Sequence, residues 1–402
     1  MSVLIAILGL ALLILVHEAG HFVAARAVGM APSRFYLGFP PALVKVTRKG
    51  TEYGIGAIPL GGYVKIPGMH RPAPSDVDVH LGQALEDAPN LVGPVERLKR
   101  LLAEGDMDGG RTALEDLEWS VDHASLAPGA RRGAERGIRE VREGLISGAY
   151  WRQPVWKRIV VIFAGPGTNL LFAIVLFAAL YMSGGGAATR TVQAVIPHSQ
   201  AAKAGLQSGD NLVGINGREM TPAELRQAIT GSHGKPLLLS VERGRHHFVL
   251  TARATKEDGV YRLGFVFRGS RLGAPAAVWR SIKLTGIVTK EIGSSLGRLV
   301  HGSGRKDIAS PVGIVQGSSS ALHQGIQSYL WVLGLISLSL ALLNLLPLLP
   351  LDGGHIAFSI VEGIRGRAVR REIYERVSAV GIALVVLLFF VGLSNDLSRI
   401  GG

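Results

Sequence analysis

Apolar residues are clumped along this chain rather than spread through it. Four runs stand out, at 3–16, 159–182, 329–351 and 377–391. A window of about 20 apolar residues matches the hydrocarbon thickness of a bilayer. The pattern therefore predicts four membrane spans, the first and last short or interrupted. Between the runs the periodicity changes. Residues 35–65 read as β structure, with strands at 42–47 and 52–58 on either side of the turn Arg48-Lys49-Gly50. Residues 72–149 are charged. Helical spacing recurs there in Val95, Leu98, Leu101 and Leu102, and again in Ile138, Val141 and Leu145, with Gly and Pro breaks between. That predicts amphipathic helices on an aqueous surface, and no chemistry is legible in them.

Residues 191–254 read as a compact α/β module. A strand at 191–196 leads to a short helix at 201–204 closed by Gly205, then to a strand at 211–215 ended by Asn216-Gly217. A helix follows at 222–229, with Thr221 as N-cap and Glu224 completing a capping box. Leu237, Leu239 and Val241 alternate as in a strand, and Gly244 turns the chain into 247–251.

Composition sharpens this picture. The 402 residues are 48% hydrophobic and carry a formal net charge of +13. A nucleic-acid binder is one reading of that charge, but its placement argues against it, because Lys and Arg crowd the ends of the apolar runs. Arg26, Arg34, Lys45 and Arg48 follow the first run, Lys157 and Arg158 precede the second, and Arg365, Arg367, Arg370 and Arg371 lie between the third and fourth. Cytoplasmic flanks of spans are rich in Lys and Arg. The expected topology has both termini and residues 183–328 outside, with residues 31–154 in the cytoplasm. Lys283, Lys290, Arg305 and Lys306 run against the bias. With no cysteine, disulfides and thiolate metal sites are excluded. The first run lacks a basic leader. Cleavage near Ala25-Arg26-Ala27 would discard the motif described next, so it reads as a retained span rather than a signal peptide.

That motif is His17-Glu18-Ala19-Gly20-His21, at the end of the first run. Imidazoles at i and i+4 project from one helical face. Both can reach one Zn²⁺, with the intervening Glu acting as general base. Three ionisable groups within two turns of an apolar helix need compensation, which makes them functional candidates. Catalytic zinc requires a third protein ligand. The candidate is Asp352, in the stretch Asn344-Leu345-Leu346-Pro347-Leu348-Leu349-Pro350-Leu351-Asp352-Gly353-Gly354-His355 that closes the third run. Pro347 and Pro350 break the helix there, and irregular backbone at membrane depth is tolerated where it lines a cavity. His355 is a rival ligand.

HEAGH in the first span and the N-x-x-P-x-x-P-x-D-G stretch of the third together resemble the site-2 protease family of intramembrane zinc metalloproteases. Further stretches resemble its bacterial branch, typified by the regulator of sigma-E protease. They are the Gly- and Tyr-rich stretch from Pro59 to Lys65, Ala164-Gly165-Pro166 with Asn169, Ser310-Pro311-Val312-Gly313-Ile314, and Asn395-Asp396. The run Ala204-Gly205-Leu206-Gln207-Ser208-Gly209-Asp210 resembles bacterial PDZ domains, which bind chain termini or extended segments by strand addition. Arg262-Leu263-Gly264-Phe265 resembles a carboxylate-binding loop, and reads equally as an ordinary strand. Residues 72–149 depart from the family pattern.

The resemblance implies a polytopic α-helical membrane protein with four transmembrane helices, a membrane-associated β-hairpin and an inserted α/β PDZ domain. Its expected parts are a first span with the metal motif at 1–30, a reentrant hairpin at 31–69 and a charged cytoplasmic insert at 70–150. A second span at 155–183, the PDZ domain at 190–268 and an external linker with an amphipathic helix at 269–328 follow. The third span lies at 329–355 and the fourth at 374–393. His17, His21 and Asp352 are the implied zinc ligands and Glu18 the base. Asn344 and Asn169 are implied to hold substrate backbone or the oxyanion, or else to bond neighbouring helices. Gly61, Gly62 and Tyr63 are implied to present the substrate strand. The implied activity is hydrolysis within the spans of single-span proteins, such as anti-sigma factors or remnant signal peptides, in a bacterial inner membrane. The implied partners are those substrates, a PDZ ligand and the lipid bilayer, with no nucleic acid. A non-catalytic PDZ scaffold would be expected to have a degenerate metal site. A transporter would be expected to show repeated halves, and none is evident.

Overall fold

The structure, a computed structural model, describes residues 1–184, 188–257, 259–300, 308, 310–367, 369 and 371–400. The flanking charges Arg305, Lys306 and Arg370 lie outside the described residues. The chain divides into two compact units, Met1–Phe172 with Thr289–His323 and Leu335–Gly402, and Ala173–Val288 with Gln324–Gly334.

In the first unit, helix α1 (Ser2–Ala27) leads into strands β1 (Arg34–Arg48) and β2 (Thr51–Lys65). Helices α2 (Pro74–Asp87), α3 (Val92–Glu104), α4 (Met107–His123) and α5 (Pro128–Leu145) follow, and then α6 (Val155–Ser183), whose last turns belong to the second unit. The second unit carries β3 (Ala188–Val195), α7 (Gln200–Lys203), β4 (Asn211–Ile215), β5 (Arg218–Glu219) and α8 (Pro222–Thr230). After these come β6 (Pro236–Arg243), β7 (His246–Arg253), β8 (Thr255–Glu257), β9 (Val260–Arg262) and β10 (Phe265–Gly269). Helix α9 (Ala274–Val300), α10 (Pro311–His323), α11 (Ile326–Asn344), α12 (Asp352–Arg365) and α13 (Arg371–Ile400) complete the chain.

Four helices are long and apolar enough to cross a membrane: Ser2–Ala27, Val155–Ser183, Ile326–Asn344 and Ile373–Ser398. Each of the four apolar runs meets one of these helices, and the third breaks at its prolines as its sequence predicts, which leaves its helix shorter than the expected 329–355. The apolar run at 329–351 is not helical throughout. Helix α11 ends at Asn344, ahead of Pro347 and Pro350, and a new helix starts at Asp352. Proline removes a backbone donor and clashes with the preceding turn, so the run divides there. Leu4, Leu8, Leu171 and Phe390 stand exposed on these helices, as side chains facing lipid do.

The inward face of α1 is a stripe of Ala6, Gly9, Leu13, His17, Gly20, His21 and Ala25. Small residues let α6 come close. A Cβ built on Gly20 would lie 2.3 Å from the Ala164 carbonyl oxygen. Thr168 Oγ1 donates to the Val16 carbonyl at 3.0 Å. Close backbone approach over small residues is a usual basis of helix association in lipid. Two stretches far apart in sequence also meet. Buried Asp396 of α13 accepts from the Ser310 amide at 2.7 Å and the Gly313 amide at 3.1 Å, capping α10.

The β segment is larger than the expected hairpin. Lys49 and Gly50 make the turn with positive φ, but register shifts bend both strands. Tyr36 consequently lies between Gly54 and Tyr63, and Leu37 between Ile55 and Gly62. Residues 62–65 fold back on the start of β1, and their recorded pairing is on that side alone. Residues 72–149 form four helices with their own core, including Leu81, Leu98, Leu117 and Ile138, all nearly or fully buried.

In the second unit, a six-stranded sheet runs β10-β3-β4-β6-β7, with β5 beside β4. The local signals read from sequence hold: Gly205 and the Asn216-Gly217 pair have positive φ, and Thr221 and Glu224 form the capping box. Leu237, Leu239 and Val241 are buried. One further link closes this core. The buried Asp210 carboxylate accepts from the Gln207 amide at 2.8 Å and from Arg243 Nε at 2.6 Å. Burial alone would push the Asp210 carboxyl up, but the Arg243 guanidinium and the Gln207 amide outweigh it and hold it below the usual range. The depressed group adds stability above its unfolded pKa of about 4 and loses it as pH falls through the folded value. Asp210→Asn should therefore cost about 1 kcal/mol at neutral pH, a figure reduced for the exposed side of Arg243. Hydrogen exchange of β4 and β6 amides should show the loss at pH 7 and a narrower gap at pH 3. Equal protection at pH 7 would contradict this.

Candidate active site

His17 and His21, one turn apart on α1, both turn inward and are buried. Asp352 reaches them from the first position of α12. Its Oδ2 lies 3.1 Å from His17 Nε2 and 3.4 Å from His21 Nε2, and the two Nε2 atoms are 3.2 Å apart. Zinc with bonds of about 2.0–2.1 Å in tetrahedral geometry separates its ligand atoms by about 3.3 Å. Three atoms with these mutual spacings form one face of such a tetrahedron. Asp352 Oδ2 is also a buried oxygen without a hydrogen-bond donor, which is costly unless a cation compensates it. The donor set and the spacing fit a divalent metal. Among the described residues, His17, His21 and Asp352 form the group of side chains able to hold one.

The surrounding atoms orient these groups. His21 Nδ1 donates to the Val161 carbonyl at 2.9 Å, which leaves Nε2 as the nitrogen able to bind a metal. Asn169 lies behind His17, with Nδ2 at 3.5 Å from His17 Nδ1, at the limit of a hydrogen bond. It is fully buried, and it is not among the residues lining the cavity beside the site. Residues 345–351 deliver Asp352. They fold so tightly on α12 and α13 that a Cβ on Gly353 would lie 2.2 Å from the Leu345 carbonyl oxygen, and one on Gly381 would lie 1.5 Å from that of Leu349. His355, the rival ligand, lines the cavity but turns to Tyr374, whose hydroxyl lies 2.5 Å from its Nδ1.

The cavity has a volume of about 810 Å³ and is bounded by His17, Glu18, His21 and Asp352. Asn344 lines it, as do Gly61, Gly62 and Tyr63 of β2. A Cβ on Gly62 would lie 2.8 Å from Glu18 Cγ, so the strand backbone rests directly on the acid. The backbone of Val64 also faces the Glu18 carboxylate. Asp76 of α2 and Glu140, Glu143 and Gly144 of α5 line the same cavity. Sequence reasoning missed these four. Their helices look like any solvated amphipathic pair, and nothing local marks which face meets a cavity.

Comparison with known proteins points to one family. The profile of a family described as "Peptidase family M50" matches residues 5–388. The chain is similar to the regulator of sigma-W protease RasP of Bacillus subtilis, 27% identical over 96% of each chain. It is similar to the zinc metalloprotease RasP of Geobacillus kaustophilus, 29% identical over 96% of this chain and 95% of the relative. A protein named "Probable protease eep" from Enterococcus faecalis is 28% identical over 96% of both.

Gly165 gives a test of the site that leaves every donor in place. A Cβ there would lie 2.2 Å from His21 Nε2. Gly165→Ala should push the imidazole aside and weaken retention of a divalent metal by at least about tenfold, as loss of ligand orientation does. Competition with a chelating dye on the purified protein checks this. Unchanged affinity would mean that His21 Nε2 is not a ligand.

Proposed function

This chain belongs to peptidase family M50 and is a metalloprotease with four helices able to cross a membrane. From that premise we propose that it is an intramembrane zinc endopeptidase, cutting within the membrane spans of single-span proteins. The observation that carries the reading is the set of three donor atoms 3.1–3.4 Å apart at the end of an apolar helix. Zinc is the metal that the relatives' names give, and it suits two imidazoles and a carboxylate without sulfur. His17, His21 and Asp352 would hold the ion. When bound, it supplies Lewis acidity that makes water nucleophilic near neutral pH and polarises the scissile carbonyl.

The chain's own groups do the rest. Glu18, beside the metal-binding face and in the cavity wall, takes the proton of the attacking water on its carboxylate and returns it to the leaving amine. Asn169 steadies the His17 ring from behind. Asn344, at the cavity wall, holds substrate backbone or the developing oxyanion. A helical substrate span hides its carbonyls in intrahelical hydrogen bonds, so it must unwind, and its freed groups then need partners in a solvent that offers none. The side of residues 62–65 turned from β1, without a strand partner among the described residues and resting on Glu18, supplies them by strand addition. Exposed Leu43, Val44, Val46 and Ile55 on the same β segment suit a segment that dips into lipid.

The module from β3 to β10 acts as an external PDZ domain that gates or recruits substrates. Support comes from its fingerprint loop, pinned by Asp210 and Arg243, and from β10. That strand ends the sheet next to α8, beside a cleft of about 590 Å³. The Lys and Arg flanks orient the termini and this module outward and residues 31–154 toward the cytoplasm, in a bacterial inner membrane. The substrates proposed are anti-sigma factors or remnant signal peptides.

Glu18→Gln should keep zinc and lose at least about a hundredfold in kcat on a single-span substrate, the usual worth of a general base. Full activity in that variant would overturn the mechanism. A substrate span with a Gly-Pro pair near its cytoplasmic end should be cut faster than an all-Leu span, because unwinding it costs less. Equal rates would argue against an unwinding step.

A further inference from the structure

The helical insert was the segment with no legible chemistry, yet it lines the catalytic cavity, and one of its side chains pairs with the strand beside Glu18. Lys65, the last residue of β2, pairs with Glu143 of α5 at 2.8 Å. Both side chains are largely shielded, 30% and 20% exposed, and both line the catalytic cavity. On the other side of Lys65 the strand runs straight into the catalytic groups. The Val64 backbone faces Glu18, and Gly62 packs on its side chain. Three residues of backbone therefore connect the insert to the general base and to the strand edge that presents substrate.

The joint is built rather than incidental. The Ser33 amide donates to the Lys65 carbonyl at 2.8 Å, holding the strand end in the sheet. Just beyond it, the Pro67 and Gly68 carbonyls accept from the amides of Tyr150 and Trp151, each at 3.0 Å, where the chain leaves the insert. Trp151 Nε1 donates to the Gly144 carbonyl at 2.8 Å, one residue from Glu143. Ile66 and Tyr150 share a buried cluster with Ala25 and Val161. The peptide after β2 and both ends of the insert are thus fastened to each other. Glu143 supplies the ionic contact, on the side facing the cavity.

We propose that Glu143 is a positioning residue of the peptidase: through Lys65 it fixes residues 62–65 of β2 against Glu18, so the helical insert sets how well the substrate strand docks. This rests on the reading of β2 as the substrate-presenting strand. An exposed ion pair would contribute almost nothing. A shielded pair at the end of a strand whose register matters fixes geometry more than it adds stability, and reversing one partner leaves two like charges facing each other. The effect falls on docking rather than on the chemical step, because Glu18 stays on α1.

The test compares full-length parent, E143Q, E143K, K65E and the K65E/E143K swap, purified in lipid nanodiscs, on one labelled single-span substrate. E143K should raise KM about tenfold while kcat changes less than about twofold, and E143Q should fall between parent and E143K. The swap should bring KM back to within about threefold of the parent. That rescue distinguishes positioning from direct reading of substrate charge, since a substrate-reading pair would not be restored by exchange. Hydrogen exchange in the insert core, at Leu98 and Leu117, should match across the set. An active parent with an unchanged KM in E143K, or a swap no better than E143K, would overturn the inference. A zinc-loaded parent that cuts no membrane substrate would instead defeat the protease reading beneath it.

Discussion

Two buried imidazoles on an apolar helix and a half-buried carboxylate within 3.4 Å of them form the constraint on which the rest of the structure depends. Left alone, such a cluster costs several kcal/mol per buried charge. A divalent ion turns the same arrangement into a source of stability, because binding energy to a preformed site is folding energy. The neighbouring positions serve that closeness. Gly20 and Gly165 remove the side chains that would hold α1 and α6 apart, and Gly353 and Gly381 let residues 345–351 fold tightly enough to deliver Asp352. The Val161 carbonyl fixes the His21 ring. Each of these is a packing feature whose reason is chemical.

The same constraint orders the aqueous-facing parts. Glu18 shares the α1 surface with the ligands, so whatever presents a substrate must come to α1. Residues 62–65 of β2 do so, stripped of side chain at Gly62 where the strand touches the acid. A strand end that must stay in register needs anchorage, and the insert provides it at Glu143, Tyr150 and Trp151. Metal site, strand and insert form one mechanical sequence running from buried to solvated.

Much of this was legible in the sequence because its signals are local. The HEAGH spacing, the Thr221-Glu224 capping box, the Asn216-Gly217 turn and the alternation of Leu237, Leu239 and Val241 each depend on a few neighbouring residues. The isolated acid at Asp352 was legible because an ionisable group at the end of an apolar run has few bland explanations. What escaped was tertiary. The fold-back of residues 62–65 onto the start of β1 pairs residues separated by nearly thirty positions, and no turn signal announces it. The break after Asn344 was legible in Pro347 and Pro350, although Leu345, Leu346, Leu348 and Leu349 keep the hydropathy high beyond it. Asn169 reads the same in sequence whether it faces a cavity or the back of the His17 ring. Glu143 is one of many charges on amphipathic helices, and only the fold sets it beside Lys65.

The central claim is that His17, His21 and Asp352 are the ligands of one zinc ion. Zinc X-ray absorption of the purified full-length protein, beside Asp352→Ala, tests it most directly. The account predicts about one zinc per chain with a light-atom shell at about 2.0–2.1 Å, imidazole scattering from two histidines and no sulfur. It also predicts loss of that signature in Asp352→Ala. A shell of the same occupancy and composition in both proteins would contradict it.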